Sequence, residues 1–448
     1  MTSSLPVVAV VGGGFAGTAL ALRLQGAARV LLFEPGAPGP GLAYSTEAPE
    51  HLLNVPAGGM SLWPERPADF AEWLARQPEA PAVPAGGGPV FAPRSLYGRY
   101  LRAAWQEAAG LPGSTLTHHP RRAVAVVRRP EGGFRLRDEA GDGHAAERVV
   151  LAPGGFAGGP GEPPWLFGHP WDPAALEGLA PDAPVLLVGT GLTMVDMVLS
   201  LRRRGHQGPL VAVSRHGWLP LPHVPGAFPA PWPVPLPPGR APGPLTLLRR
   251  LRAEAAGAAA AGQPWQAVPD GLRPQLQAIW QSWSAPERAR FLRHGASLWN
   301  LHRHRLAPEV SAALAEALTE GGLRVLAGRL ESWRPGAEGQ VEAILRLRGG
   351  QRQPLRCARI LLCTGPSGSR AWAASPPVSA LIEQGMLRPD GLGLSVSPDG
   401  KALDAQGQAV PGLFLLGPLA RGALWEITAV PEIRAQAAKV AEAVLSPL

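Results

Sequence analysis

Two stretches of this chain share one plan: VVAVVGGGFAGTALALRL (7–24) and LLVGTGLTMVDMVLSL (186–201). Each opens on an apolar, β-rich run, passes through closely spaced glycines and continues into a helical pattern of Ala, Leu, Val and Met. A strand buried on both faces reads as a continuous apolar run, not as an alternation. A strand that ends on glycines and feeds a helix directly belongs to an α/β layer. Two such units in 448 residues predict two domains of this type.

In the first unit Gly12, Gly14 and Gly17 stand at G-x-G-x-x-G spacing, and VLLFE (30–34) supplies a second strand ending on Glu34. Gly12 permits a tight turn, Gly14 lets a pyrophosphate approach the backbone, and Gly17 lets the helix lie close on its strand. Phe15 and Ala16 open that helix, whose first N–H groups and dipole favour phosphate. Glu34 is placed to accept hydrogen bonds from a ribose hydroxyl pair. Strand, turn, helix and acid together predict a dinucleotide-binding turn. The second unit has Gly189 and Gly191, but Met194 holds the third glycine position, which argues against equally close helix–strand packing. Its helix carries Asp196, and its next strand, LVAVSRHG, runs into Arg215 where the first unit has Glu34. A cation there suits a 2′-phosphate and favours NADPH over NADH; the alternative is a solvated surface arginine.

The plan repeats beyond the turns. The first unit is expected to close on a meander of AVAVV, GFRLRD and RVVLAPGG within 117–152, ending at Ala152-Pro153-Gly154. The second closes on LRVLAGRLESW, VEAILRLRG and ARILLCTGP, ending at Cys363-Thr364-Gly365. Between them, 218–243 is too dense in Pro for long helices or central strands. Residues 245–320 read as helical and contain WNLHRHRLAP. His302 and His304, two apart, point to different helix faces, so no metal pair is expected. That stretch is either a basic cluster facing substrate or cofactor phosphate, or a structural helix start. The chain closes with a strand at 413–416, a turn at Gly417 and a helix carrying Pro431 in its first turn. The expected fold is α/β: two Rossmann-like dinucleotide-binding domains with β-meander excursions and a helical Pro/Trp-rich insertion. Residues 1–175 with 355–448 form one domain, and 176–354 the other, with the insertion at about 218–310.

Composition closes off other classes. Cys357 and Cys363 form no C-x-x-C, so a disulfide scaffold, a zinc site and a dithiol centre are not expected. Net charge is +8, but the arginines are scattered, not gathered on one helix or arm, so no nucleic-acid partner is expected. No apolar run is long enough to span a bilayer. No basic start precedes the first apolar run, so no leader peptide and a cytoplasmic location are expected.

These residues together resemble the bacterial FAD-NAD(P)-binding proteins, two-dinucleotide-binding-domain flavoproteins related to the N-hydroxylating flavin monooxygenases. The resemblance spans nearly the whole chain. GGGFAG with Glu34 is similar to the FAD turn, and GTGLTMVD with SRHGWLP to the NAD(P) turn. GLAYSTEAPEHLLNVPAGGMS (41–61) looks like the segment that passes the flavin, and FAPRSLYGRYL (91–101) like the helix entry after it. HRHRLAP and GPLARGALWEITAVPEIRAQA resemble the family's remaining blocks. The resemblance implies FAD held at Gly12, Gly14, Phe15, Ala16, Gly17, Glu34, Asn54, Met60, Arg94, Gly417, Trp425 and Thr428, with Gly154 and Gly365 as further cofactor-binding positions. It implies NAD(P)H at Gly189, Gly191 and Arg215.

Asn54 and Glu426 are the candidate catalytic residues: an amide toward cofactor or substrate, and a proton-transfer carboxylate. For Asn54 the alternative is a turn residue capping its own backbone; for Glu426, a cap or an arginine partner. Met60 and Trp63 either wall the flavin or pack in the core. The chain departs from the wider fold at Gly417-Pro418, where many relatives have Gly-Asp. The function implied is an FAD-dependent NAD(P)H oxidoreductase of monooxygenase type acting on a small molecule. A reductase serving a protein or quinone, or a low-turnover nucleotide-binding sensor, stands as the alternative. A homo-oligomer is compatible with this build.

Overall fold

The computed structural model describes residues 5–84, 87–154, 163, 165–224, 230–236, 239–365 and 375–447. The chain starts with β1 (Val7–Val11), α1 (Phe15–Leu24) and β2 (Arg29–Phe33). Then come α2 (Gly41–Tyr44), α3 (Asp69–Ala75), α4 (Arg94–Ala109) and β3 (Leu116–His119). An antiparallel excursion, β4 (Ala123–Arg128), β5 (Phe134–Asp138) and β6 (Gly143–Ala146), precedes the return strand β7 (Arg148–Leu151).

The second unit opens with β8 (Leu166–Phe167), β9 (Val185–Val188), α5 (Leu192–Arg203) and β10 (Leu210–Ser214). Five helices follow: α6 (Pro244–Ala260), α7 (Ala267–Leu272), α8 (Leu276–Ser282), α9 (Ala285–His294) and α10 (Ala296–Arg303). The unit resumes with α11 (Pro308–Thr319), β11 (Leu323–Pro335), β12 (Val341–Leu347), β13 (Arg352–Cys357) and β14 (Arg359–Leu362). Finally α12 (Pro376–Glu383), β15 (Lys401–Leu403), β16 (Ala409–Leu415) and α13 (Val430–Leu445) return to the first unit.

The two main sheets run β15-β16-β7-β1-β2-β3 and β13-β12-β11-β10-β9-β14-β8. In each, the strand before the glycine turn lies between the next strand and the return strand, all parallel. β1, β7 and β9 are nearly all buried, as apolar runs in a covered parallel sheet must be.

Sheet pairing corrects two expectations. RVVL (148–151) and RILL (359–362) are not meander strands; they pair with β1 and β9 as central strands. The first meander takes its third strand from β6, and the second consists of β11, β12 and β13. The boundaries at 175 and 355 also shift. β8 and β14 belong to the second sheet, so the chain crosses between units after β7 and again after β14.

The insertion has its own core of Val234, Leu247, Val268, Leu272, Ile279, Trp280 and Trp283. α9 starts on a Ser284/Glu287 capping box with Pro in its first turn, which satisfies free N–H groups at that end. The insertion roofs the last block of the first unit: Trp280 Nε1 donates to Gly422 O at 2.7 Å, and Trp280 stacks on Trp425 at 4.9 Å.

Candidate functional site

The two glycine turns are built alike. Gly12 adopts φ +102° and Gly189 φ +115°, conformations that L side chains rarely adopt. A Cβ on Gly12 would lie 2.4 Å from Ala152 O, and one on Gly189 2.2 Å from Cys363 O. Each first glycine therefore lets its turn press on the end of the return strand. Gly14 and Gly191 then act as N-caps in extended backbone, with no side-chain cap and no acid in the first helical turn. Both helices thus present unsatisfied N–H groups and an uncompensated positive dipole end. A Cβ on Gly191, Gly154 or Gly365 meets no atom of the described residues within 4 Å. A pyrophosphate fits both cradles.

The turns differ at the third position. A Cβ on Gly17 would fall 1.9 Å from Gly12 O, so α1 lies directly on its turn. Met194 fills the matching position of α5 and is fully buried, so that helix packs through a side chain. Glu34 closes the first turn from the far side: its carboxylate accepts from Gly13 N at 2.8 Å and Gly36 N at 3.2 Å. A carboxylate has lone pairs for further donors, so a ribose still fits. Phe15 and Ala16 lie buried in the first turn of α1, and Gly417, φ +77°, sits against Ala16 with its N–H on Gln436 Oε1.

A polar seam joins the units. Arg94, at the start of α4, pairs with Asp196 of α5 at 2.8 and 3.2 Å, and its Nε donates to Leu52 O at 3.2 Å. All three guanidinium nitrogens are engaged, so Arg94 serves the seam where the resemblance implied a cofactor contact. His51 Nε2 lies 2.8 Å from Ser200 Oγ, and its Nδ1 lies 2.8 Å from Thr46 Oγ1. Ser200 Oγ donates to Glu50 at 3.0 Å. Burial pushes the Asp196 carboxyl above its ordinary value, opposed chiefly by Arg94. Burial likewise lowers the pKa of His51, opposed by Asp196. Farther along, His223 Nε2 donates to Asn54 O at 3.0 Å. The Asn54 carboxamide itself makes no hydrogen bond among the described residues.

The C-terminal block meets the insertion. Glu426 is 5 % exposed and is the one non-glycine residue with positive φ, +69°, among the described residues. Its Oε1 accepts from Trp299 Nε1 at 2.7 Å, and its Oε2 lies 3.6 Å from Arg303 Nε. Arg273 binds Glu432, in the first turn of α13, through 2.5 and 2.8 Å contacts. Arg305 binds Asp270 through two more. Arg303 and Arg305 of the HRHR segment are therefore buried cations set against carboxylates, which favours the structural reading of that stretch. His302 bonds Leu298 O, and burial lowers the pKa of His304. No group of His, Cys, Asp and Glu among the described residues is arranged to hold a metal ion.

Trp425 lies in the insertion's aromatic core against Trp280 and Phe291, with Arg421 over its ring at 4.9 Å. That core claims the ring expected at a flavin edge. Met60 is buried in the first unit's core, and Trp63 lies between Arg23 and Arg66, so packing accounts for both. Thr428 is exposed, its N–H on Glu426 O. Arg215 is exposed and bonds Ser297 Oγ at 3.1 Å. Both cysteines are buried; burial pushes the Cys357 thiol up to about 12. Arg303, buried, and Arg273, half-buried, are paired charges that the sequence does not single out, because such an arginine has no local signature.

This architecture, two glycine-turn units joined through a two-stage crossover, is the expected fold of two Rossmann-like domains. Residues 9–156 match the family described as FAD-NAD(P)-binding, the family the motifs resemble. No curated protein sequence matches the chain. Among solved structures, ornithine N-hydroxylase from Kutzneria sp. 744 is 13% identical with a TM-score of 0.65, over 98% of this chain and 99% of that one. L-lysine 6-monooxygenase from Pseudomonas syringae is 18% identical with a TM-score of 0.65, over 98% and 99%. Ornithine hydroxylase from Pseudomonas aeruginosa is 14% identical with a TM-score of 0.61, over 99% of both chains. At these identities the likeness is one of fold. No helix among the described residues is long and apolar enough to cross a membrane.

Proposed function

We propose that this chain is an FAD-dependent, NAD(P)H-consuming oxidoreductase of the monooxygenase type, acting on a small molecule and preferring NADPH. The doubled turn carries this reading: two uncapped helix N-termini, each preceded by a left-handed glycine pressed on a return strand. One such cradle serves a single nucleotide; two in one chain serve a donor and an acceptor. FAD, when bound, supplies the group that takes hydride from NAD(P)H and reacts with dioxygen.

The chain's residues supply position and charge. The first N–H groups of α1, at Phe15, Ala16 and Gly17, hold pyrophosphate, and Glu34 takes the ribose. The Asn54 carboxamide, beside the seam, is the side chain open to flavin or substrate. Glu426 acts by position: its carboxylate fixes Trp299 and Arg303. The hydroxylases of the same fold support oxygen chemistry over electron transfer to a protein or quinone. A cytoplasmic enzyme without a nucleic-acid partner fits the scattered charge.

The test is the visible spectrum of the purified protein during anaerobic NADPH titration. Bleaching of bound flavin by about one equivalent is expected, since one hydride reduces one flavin. Gly191→Val should keep the flavin colour and weaken NADPH, whereas Gly14→Val should lose the flavin. Bound flavin that NADPH does not bleach overturns the reading.

A further inference from the structure

Past the end of β10 the chain makes a tight turn through Ser214, Arg215, His216 and Gly217 to Trp218. Gly217 takes φ +65°, and its N–H meets Ser214 O at 3.3 Å and Ser214 Oγ at 3.1 Å. A Cβ at Gly217 would lie 3.1 Å from Ala327 N, so the turn is seated on β11. The turn is also bolted to the second glycine cradle: Thr190 Oγ1, between Gly189 and Gly191, donates to Trp218 O at 2.5 Å and lies 2.8 Å from Ser214 Oγ. Trp218 stacks on His216 at 4.3 Å with planes 16° apart, yet keeps 40% of its surface exposed. Arg215 is exposed beside it, and its bond among the described residues is to a neutral hydroxyl.

An exposed indole is ordinarily mobile. Here the backbone on both sides is pinned and one face is covered, so the ring is a rigid platform. A flat π surface next to an unneutralised guanidinium, both anchored to a phosphate cradle, has a specific ligand chemistry: a purine base with a phosphate on its ribose. We infer that Trp218, held by His216, is the base platform of the second site, receiving the adenine of an adenosine 2′-phosphate whose phosphate Arg215 holds. This rests on the proposed function in two respects, that the second turn takes a dinucleotide and that Arg215 meets its 2′-phosphate; the role of Trp218 and His216 is what is added. The assignment predicts discrimination from two separable residues: Trp218 reads the base, and Arg215 reads the 2′-phosphate. His216 positions Trp218.

The experiment is isothermal titration calorimetry of the full-length, flavin-loaded protein with adenosine 2′,5′-bisphosphate and with adenosine 5′-monophosphate. Trp218→Ala should weaken both probes about tenfold or more, the usual loss of a base–aromatic stack. Trp218→Phe should restore most of that binding, and Trp218→Leu, which keeps apolar bulk without a ring, should not. Arg215→Ala should weaken the bisphosphate alone. Retention of flavin in each variant shows that the first unit is intact. Binding of the bisphosphate to Trp218→Ala within twofold of the parent overturns the platform, and leaves the oxidoreductase reading standing if NADPH still bleaches the flavin. A parent protein that binds neither probe and is not bleached overturns both.

Discussion

The first and second glycine turns obey one rule and reach different ends. In the first, Gly17 lets α1 lie on Gly12 O, Glu34 folds back on Gly13 and Gly36, and Gly417 closes in on Ala16. In the second, Met194 fills the third position with a buried side chain, a Cβ on Gly191 meets no described atom within 4 Å, and the strand leads to an exposed Arg215 and Trp218. The closed cradle suits a resident cofactor, and the open one suits a ligand that comes and goes. The same motif therefore supports retention or exchange, according to what surrounds it.

The largest test of this contrast is steric. Gly17→Leu must place carbon where Gly12 O already stands, 1.9 Å from the first added atom. Flavin retention and soluble yield should be lost outright. At the matching second position, Met194→Leu should cost less than about 1.5 kcal/mol in urea denaturation, because the volume is conserved. A soluble, yellow Gly17→Leu protein breaks the comparison.

The next test concerns the seam between the two turns. Arg94→Met leaves Asp196 buried without its cation, at a cost of about 3–5 kcal/mol. Adding Asp196→Leu should recover most of that loss in the same denaturation experiment. A cost equal in the single and double variants would show that Arg94 acts through something other than Asp196.

The smallest test is graded by pH. Burial pushes the His223 pKa down to about 4 from 6.5. The unfolded chain takes up this proton near pH 6.5 and the folded chain only near 4, so the unfolded state holds more protons between them. Stability should therefore fall as pH drops from about 6.5 to 4, by at most about 3 kcal/mol. Replacing His223 with Gln, which keeps a donor for Asn54 O, should flatten that part of the melting-temperature profile. An unchanged slope would place the acid sensitivity elsewhere, with His51 the next residue to replace.

Much of the fold is legible because its signals are short-range. A strand, a glycine turn and a helix span fewer than about 30 residues, and Gly12, Gly17 and Gly189 answer to backbone clashes within that span or at one return strand. The reading placed α1, α5 and Pro431 of α13 correctly on such grounds. It went wrong at β7 and β14. An apolar run announces a strand but not its partner, so a central strand and a meander strand look alike when both follow a hairpin.

The site divides in the same way. Gly12 and Gly189 follow from the sequence, because their demands are on φ and on the absence of a side chain. The resemblance implies a cofactor at Arg94 and Trp425, while their contacts in the fold are with Asp196, 102 residues away, and with the insertion's aromatic core. Glu426 depends on Trp299, 127 residues earlier, and Glu432 on Arg273, 159 residues earlier. A hydrogen bond or ion pair is specified by two positions in space, and no local pattern records the second. Backbone sterics act within a turn, so the two glycine-turn cradles can be read from the residues alone. Which cradle is closed, which charges are buried together and how Trp218 comes to face outward depend on what the rest of the chain folds against, so they emerge in three dimensions alone.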